Sequence, residues 1–344
     1  MNVAFTICSI NYLAHAVALG NSLQLTNPQV DFRIYLVDRL QGRKEIEEKV
    51  PFPVIEIEKV PVTDFDGMCR RYNLIELNTA VKPFIFEHIL KSENSAENII
   101  YFDPDIIVFE ELEVLYDALR GKNMVLTPHL LSPCDGSYDK INEGNFLNTG
   151  IFNLGFLAIR RSGENRKFLD WWKERLVHQG HANHTLRDNA HLYTHLFYDQ
   201  KWMNFAPVFF EGVIISKHYG MNMAAWNLHE RKLNHNQATN SYSVNDQEKL
   251  IFYHFSGIKP FQEEEVSSHS KLTFNDRPDL RAIITNYREQ LLQNNYEYFK
   301  QFACSYSKLD LRSANSEKKQ TVENLDMKAK ASSLKKHLKN LLKK

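Results

Sequence analysis

Apolar and polar residues fall in blocks through the first 130 positions, and the blocks switch between two periods. Short apolar runs at residues 3–8 (VAFTIC), 32–37 (FRIYLV), 53–57 (PVIEI), 98–102 (NIIYF) and 123–127 (NMVLT) have the length of buried strands. Between them, residues 13–25 place Leu13, Val17, Leu19 and Leu23 among the apolar positions of a helix. Residues 79–91 read as another helix, with Pro83 near its first turn, where a missing N–H is tolerated. Strands alternating with helices imply α/β class and a parallel sheet covered by helices.

Beyond residue 150 the pattern is more mixed. Residues 151–159 (IFNLGFLAI) read as a strand, 164–178 as a helix carrying Trp171 and Trp172, and 186–198 as a further helix. Short strands follow, ending at 250–255 (LIFYHF), and 278–302 reads as one long helix. After residue 305 the composition changes. Residues 317–344 carry nine Lys against Glu317, Glu323 and Asp326, and Leu334, Leu338, Leu341 and Leu342 share one helix face. That tail suits a basic amphipathic helix on anionic lipid or an acidic partner, or a solvated segment. The organisation expected is a catalytic domain over 1–262, a helical extension over 263–305, and a linker with basic tail over 306–344.

Composition narrows the class. The 344 residues are 43% apolar and 24% charged with zero formal net charge, which suits a globular chain and disfavours a nucleic-acid partner. Cys8, Cys69, Cys134 and Cys304 form no C-x-x-C pair, and a reducing, cytoplasmic setting is the simplest reading. The first 20 residues lack the basic start of a signal peptide, and no uncharged apolar run is long enough to span a membrane.

The candidate chemistry centres on YFDPDIIVF. Asp103 and Asp105 follow an apolar strand and flank Pro104, which biases Asp103 toward extended backbone, so both carboxylates are expected on one side. The carboxyl end of a parallel strand is where open α/β sheets bind ligands. Two carboxylates facing one point suit Mn²⁺ or Mg²⁺, which would bridge a diphosphate. A bare D-x-D also fits a solvated turn, or a haloacid-dehalogenase-type phosphatase; the latter usually carries its motif near the start of its domain, with Thr or Val where Ile107 stands.

Further segments carry a resemblance. The opening TICSINYLAHAVALGNS, Lys82 in TAVKPF, the D-x-D strand, Phe152-Asn153-Leu154-Gly155, Asp199-Gln200 in YDQKWMN, and His254-Phe255-Ser256-Gly257 with Lys259-Pro260 stand in the order seen in glycosyltransferase family 8 and related bacterial enzymes. The chain resembles that family over roughly residues 3–261. The resemblance implies a GT-A fold: a single Rossmann-like, mostly parallel sheet flanked by helices, with a donor-binding half over about 1–130 and an acceptor-side half over about 131–262. Family members usually have two residues between this Gly and Lys, where Ile258 stands alone here, and often Trp in place of Phe261.

The activity implied is metal-dependent transfer of a hexose from a nucleoside diphosphate sugar, UDP-linked, to a glycan acceptor such as a lipid-linked surface polysaccharide or lipooligosaccharide, with retention. Asp103, Asp105 and His254 would hold the metal. Lys82 would meet the diphosphate; otherwise it is a helix-surface charge. Thr6, Asn11 and Tyr12 would line the nucleotide pocket, although Asn11 can also serve as a helix cap. Asn153 and Gly155 would face the donor sugar, Asp199 would hold its hydroxyls, and Gln200 would lie near the anomeric carbon. Gly257 and Lys259 would complete the donor site. Trp226, in MNMAAWNLHER, is the better acceptor-stacking candidate, whereas Trp171 and Trp172 suit helix packing. His191 and His195 have a zinc-compatible i, i+4 spacing but lack the Glu of H-E-x-x-H, and His178, His181 and His184 read as loop histidines. The competing classes are a sugar nucleotidyltransferase, whose Gly-rich basic signature is missing from residues 1–30, and a non-catalytic glycan- or partner-binding protein on a transferase fold.

Overall fold

The computed structural model describes residues 1–134, 141–182, 185–187, 192–194, 196–261 and 264–306. In chain order the strands are β1 (Asn2–Cys8), β2 (Asp31–Leu36), β3 (Val54–Glu56), β4 (Asn98–Phe102), β5 (Ile106–Val108), β6 (Met124–Leu126), β7 (Phe156–Arg160), β8 (Thr185–Arg187), β9 (Leu192–Thr194), β10 (Val213–Ile215), β11 (Met223–Ala224), β12 (Leu233–Asn236), β13 (Ser241–Val244), β14 (Glu248–Lys249) and β15 (Phe252–His254). The main sheet has the order β10-β6-β7-β4-β1-β2-β3. β1 lies parallel to both β2 and β4, β2 to β3, and β10 to β6, while β7 alone runs antiparallel to its neighbours β4 and β6. The expected mostly parallel α/β sheet with flanking helices is therefore present.

β1 sits in the middle because VAFTIC is apolar on both faces, as a strand covered on two sides must be. Its continuation, the helix Leu13–Thr26, buries Leu13 to Gly20 without a break. That helix is enclosed by the sheet on one side and by the helices Arg281–Gln293 and Tyr296–Phe299 on another. Met1–Cys304 form one compact unit, and Ile283, Ile284, Tyr287 and Leu291 share a core with Ile107, Tyr253 and Phe255. The basic tail at 317–344 lies outside the described residues.

Several expected elements differ in detail. The helix expected over 79–91 is two, Leu74–Ala80 and Lys82–Ser92, the first opened by a capping box between Asn73 and Glu76 and the second by Pro83 in its first turn. The long helix over 278–302 breaks at Asn295, whose φ of 64° is left-handed, a conformation asparagine tolerates better than most residues. The strand over 151–159 begins only at Phe156; Phe152 makes an isolated bridge to Pro128, and residues 153–155 turn away from the ladder. Among the described residues of 186–198 the expected helix is not formed. β8 and β9 pair antiparallel there, and Gln200–Phe205 is a 3-10 turn. Thr and Tyr in LYT favour a pleated strand, which a short apolar run cannot distinguish from a helix by period alone.

A second, three-stranded sheet of order β11-β15-β5 matters most for the site. β5 continues from the turn after β4, and β15 runs antiparallel to it with His254 opposite Ile106.

Candidate active site

Asp103 and Asp105 lie in a turn that links β4 to β5, closed by the Ile106 N–H donating to the Asp103 carbonyl at 3.1 Å. The two carboxylates converge through this turn, not through the continuous extended backbone that the sequence suggests. His254 arrives by strand pairing: it ends β15, and the next residue, Phe255, donates its N–H to the Asp105 carbonyl at 2.8 Å. The His254 Nε2 stands 3.1 Å from Asp105 Oδ1 and 3.7 Å from Asp103 Oδ2. One ligand atom from each of the three residues falls within 4.8 Å of the others.

Electrostatics mark this corner as a place for positive charge. Burial raises the Asp103 carboxyl above its ordinary range, against the pull of Lys82 and His254. Burial also pushes Asp105 up, but the His254 charge and hydrogen bond outweigh it and hold this carboxyl low. Burial lowers the affinity of His254 for a proton, and the two carboxylates reverse the sign and raise it. Two carboxylate oxygens and an imidazole nitrogen are a donor set able to hold a divalent cation. Gly155 makes room for the set. A Cβ on it would lie 2.4 Å from His254 Cε1 and 2.8 Å from Asp103 Oδ2. The Tyr101 hydroxyl donates to the other Asp103 oxygen and so fixes the carboxylate from behind.

Behind the triad lies a buried ion pair. Lys82 opens the helix Lys82–Ser92, and its side chain is 1% exposed, so it is no surface charge. Its Nζ is 2.6 Å from Asp199 Oδ2, donates to the Leu154 carbonyl at 2.8 Å, and lies 4.1 Å from the centre of the Tyr101 ring. The Asp199 carboxyl is raised by burial, which Lys82 counteracts. Lys82 thus holds Asp199 rather than facing the surface.

Asn153, Leu154 and Gly155 are held by side chains as well as by backbone bonds, the Asn153 N–H donating to the Thr127 carbonyl at 3.0 Å and the Asp103 N–H to the Gly155 carbonyl at 2.6 Å. The Asn153 Oδ1 accepts from the Gly155 N–H at 3.1 Å and from Asn222 Nδ2 at 3.1 Å. Gln200 accepts from the Leu154 N–H at 3.2 Å and donates to the Thr149 carbonyl at 3.0 Å. Asn153 and Gln200 therefore brace the glycine under the triad.

The nucleotide-side residues divide. Thr6 has no exposed surface, and among the described residues its hydroxyl finds no hydrogen-bond partner. Asn11 accepts from the Ser9 hydroxyl at 2.7 Å instead of capping the following helix, which has no side-chain cap. Tyr12 is 45% exposed and stacks on His15 at 4.4 Å. Burial of its hydroxyl and then the Asp105 charge push that group up to about 12. Gly257 adopts φ +73° in the turn after β15, and a Cβ there would meet Ser268 Oγ at 2.5 Å, so its backbone alone accounts for glycine. Lys259 is exposed two residues on.

The structure also brings in residues of MNMAAWNLHER other than Trp226. Asn222 donates to Thr127 Oγ1 at 2.8 Å, Asn227 donates to the His129 carbonyl at 3.3 Å, and Glu230 accepts from the Leu131 and Ser132 N–H groups at 2.9 and 2.6 Å. The segment 222–230 is thus a polar brace for residues 127–132. Its only sequence signal was a density of Asn, His and Glu in an otherwise apolar stretch. Trp226 is buried and meets the His254 ring edge-on at 5.1 Å, so it supports the triad and does not present a face for stacking. Trp172 packs in the core against Phe168, and Trp171 packs on Trp202 and Phe210, as helix packing requires. His178 lies in the last turn of the helix Gly163–Gln179, His181 lies against Tyr72, and His184, His191 and His195 lie outside the described residues.

Comparison with known proteins adds a family. The family model described as Glycosyl transferase family 8 matches residues 2–265. Uncharacterized protein YfnD of Bacillus subtilis (strain 168) is 25% identical over 260 residues, covering 75% of this chain and 78% of YfnD. Uncharacterized protein YfnF of the same bacterium is 20% identical over 297 residues, covering 84% of this chain and 92% of YfnF. Among solved structures, the galactosyltransferase LgtC in complex with donor and acceptor sugar analogues aligns with a TM-score of 0.48 at 16% identity, covering 85% of this chain and 96% of LgtC.

Proposed function

The chain belongs to glycosyl transferase family 8 and is a glycosyltransferase, and from that premise we propose that it transfers a hexose from a UDP-sugar to a lipid-linked glycan acceptor, with retention of anomeric configuration. The observation that carries the reading is the convergence of Asp103, Asp105 and His254 at the carboxyl end of β4, with Gly155 clearing the space beside them. Nucleotide-sugar transfer needs a group that takes up charge on a departing diphosphate.

Asp103, Asp105 and His254 would hold a divalent cation, and when bound it would supply Lewis-acid stabilisation of the leaving diphosphate. Tyr12 would pack on the nucleotide, with Asn11 beside it, and Thr6 beneath them would shape the wall. Lys259, exposed after the Gly257 turn, would reach the diphosphate from the far side. Asn153 would face the donor sugar, and Asp199, paired with Lys82, would accept from its hydroxyls. Gln200 would lie near the anomeric carbon.

In the transfer, the acceptor hydroxyl oxygen bonds to the anomeric carbon as the bond from that carbon to the diphosphate oxygen breaks. The electron pair leaves with the nucleoside diphosphate, and the hydroxyl proton passes to the departing phosphate oxygen. Attack on the face that the leaving group vacates gives retention and asks for positioning and charge stabilisation in place of a strong base. No described helix is long and apolar enough to cross a membrane; contact with a membrane-borne acceptor would use the basic tail at 317–344, whose nine Lys suit anionic lipid.

A donor screen with Mn²⁺ tests the reading. Release of UDP in the presence of UDP-hexose supports it; release of pyrophosphate from a nucleoside triphosphate and a sugar phosphate would instead identify a nucleotidyltransferase.

A further inference from the structure

From β1 the sheet builds outward through β2 and β3 on one side, then the chain crosses back to β4 on the other. Open α/β sheets bind ligands at the carboxyl ends of their strands where the order reverses in this way. The Asp103–Asp105 turn follows the carboxyl end of β4. Tyr12 follows that of β1, in the 3-10 turn Ile10–Tyr12.

One face of Tyr12 is taken. Its ring stacks on His15 with centroids 4.4 Å apart and planes 19° from parallel, while 45% of the residue stays exposed. His15 is buried in the helix Leu13–Thr26. Among the described residues its Nδ1 has no hydrogen-bond partner, so ring contacts, not a hydrogen bond at that atom, fix the imidazole. Tyr296 meets it edge-on at 5.7 Å, and Tyr287 meets it at 6.4 Å. Tyr287 in turn stacks on Phe255 at 4.0 Å, and Phe255 is the residue whose N–H donates to the Asp105 carbonyl. The helix Tyr296–Phe299 also packs on the turn that carries Tyr12. Both tyrosines belong to the segment over 263–305 that the sequence sets apart as an extension. In the fold they stand behind Tyr12.

We propose that His15 and Tyr296 are positioning residues for the donor's nucleoside: they hold the Tyr12 ring so that its open face stacks on the base. The inference rests on the transferase reading and adds the part of the chain that fixes the base platform. A base on an aromatic face gains about 5- to 150-fold in affinity. A platform that the ligand itself must order returns about 2- to 13-fold of that gain, the cost of immobilising one side chain. With His15 beneath it and Tyr296 against His15, Tyr12 is already ordered, and that cost falls on folding instead of on binding.

The test titrates the full chain, at saturating Mn²⁺, with UDP and with inorganic pyrophosphate in a calorimeter. Both ligands offer a diphosphate, and only UDP carries a base. Tyr12→Ala should weaken UDP binding about 5- to 150-fold. His15→Leu, which fills a similar volume without a flat face, and Tyr296→Leu should each weaken it about 2- to 13-fold. Pyrophosphate should bind all three variants as it binds the parent. His15→Phe keeps a flat ring under Tyr12 and should restore UDP affinity, which a role in filling space alone would not require. Thermal melting checks that each variant is folded, and the half-buried Tyr296 supplies the independent variant where His15→Leu does not fold. Parent-like UDP affinity in the folded leucine variants, or an equal loss for UDP and pyrophosphate, overturns the inference. Release of UDP from UDP-hexose into water, measured on the same proteins, reports the reaction centre separately. Normal release by a parent that binds UDP no more tightly than pyrophosphate sinks this inference alone; no release with any donor sinks the transferase reading and the inference with it.

Discussion

Replacing Gly155 by alanine probes the site at its tightest point. Gly155 does not adopt a positive φ, so the backbone would accept alanine without strain, and any effect comes from the added methyl group. That methyl would stand 2.4 Å from His254 Cε1 and 2.8 Å from Asp103 Oδ2. Carbon atoms in contact prefer about 3.5–4.0 Å, so the imidazole must retreat by roughly 1 Å or the β7 entry must move. His254 is pinned by the pairing of β15 with β5, and Gly155 by Gln200 and Asn153, so neither side yields freely. A displacement of about 1 Å in a catalytic group costs on the order of 100-fold in rate, or about 2.7 kcal/mol in activation free energy. Disturbed support of a metal ligand loosens the metal by about 10–100-fold. Overpacking should lower global stability by about 1–3 kcal/mol. Calorimetric Mn²⁺ titration, UDP release at limiting and saturating Mn²⁺, and thermal melting separate these effects. If Gly155→Ala binds Mn²⁺ and turns over like the parent, the close approach of Gly155 to the triad is not what the chemistry depends on, and the reasoning is refuted.

The remaining predictions use other contacts. Asp105→Asn keeps the shape of the turn and removes a negative ligand; turnover should fall by orders of magnitude with an unchanged circular dichroism spectrum, and unchanged turnover would contradict the metal assignment. Lys82→Met leaves Asp199 charged in the interior and should cost about 3–5 kcal/mol in urea unfolding; Lys82→Met with Asp199→Asn should recover part of that loss, and failure to do so would argue against a coupled pair. His15 and His129 are each held neutral by burial, to about 4 in the folded state. The unfolded chain binds their protons near pH 6.5, so their contribution to stability is complete above that pH and is lost as pH falls from about 6.5 toward 4, by up to about 3 kcal/mol each. Urea midpoints measured at pH 7, 5 and 4 should fall in that order, and His15→Phe should flatten the fall; a slope identical to the parent's would show that His15 is not buried as described.

Much of the donor half was legible because its signals are local. VAFTIC and NIIYF are short apolar runs rich in β-branched and aromatic residues, which favours buried strands over helices, and the Asp-Pro-Asp turn follows directly from the second. The convergence of Asp103 and Asp105 was foreseen although its cause was not, since a turn brings the carboxylates together where extended backbone was expected. The helix expected over 186–198 failed because an apolar period over so few residues does not choose between helix and strand, and pairing between β8 and β9 decided it.

By itself the sequence determined the strands, the helices that cover them, and the identity of residues able to hold a cation, because each depends on neighbours within a few positions. Tertiary structure decided which of those residues meet. His254 reaches Asp105 only through the pairing of β15 with β5, Lys82 finds Asp199 across more than a hundred residues, and Gly155 is required only because a histidine from another strand fills the space where its side chain would be. Such contacts come from register and close packing between distant segments, and neither quantity is written in the order of residues along any one of them.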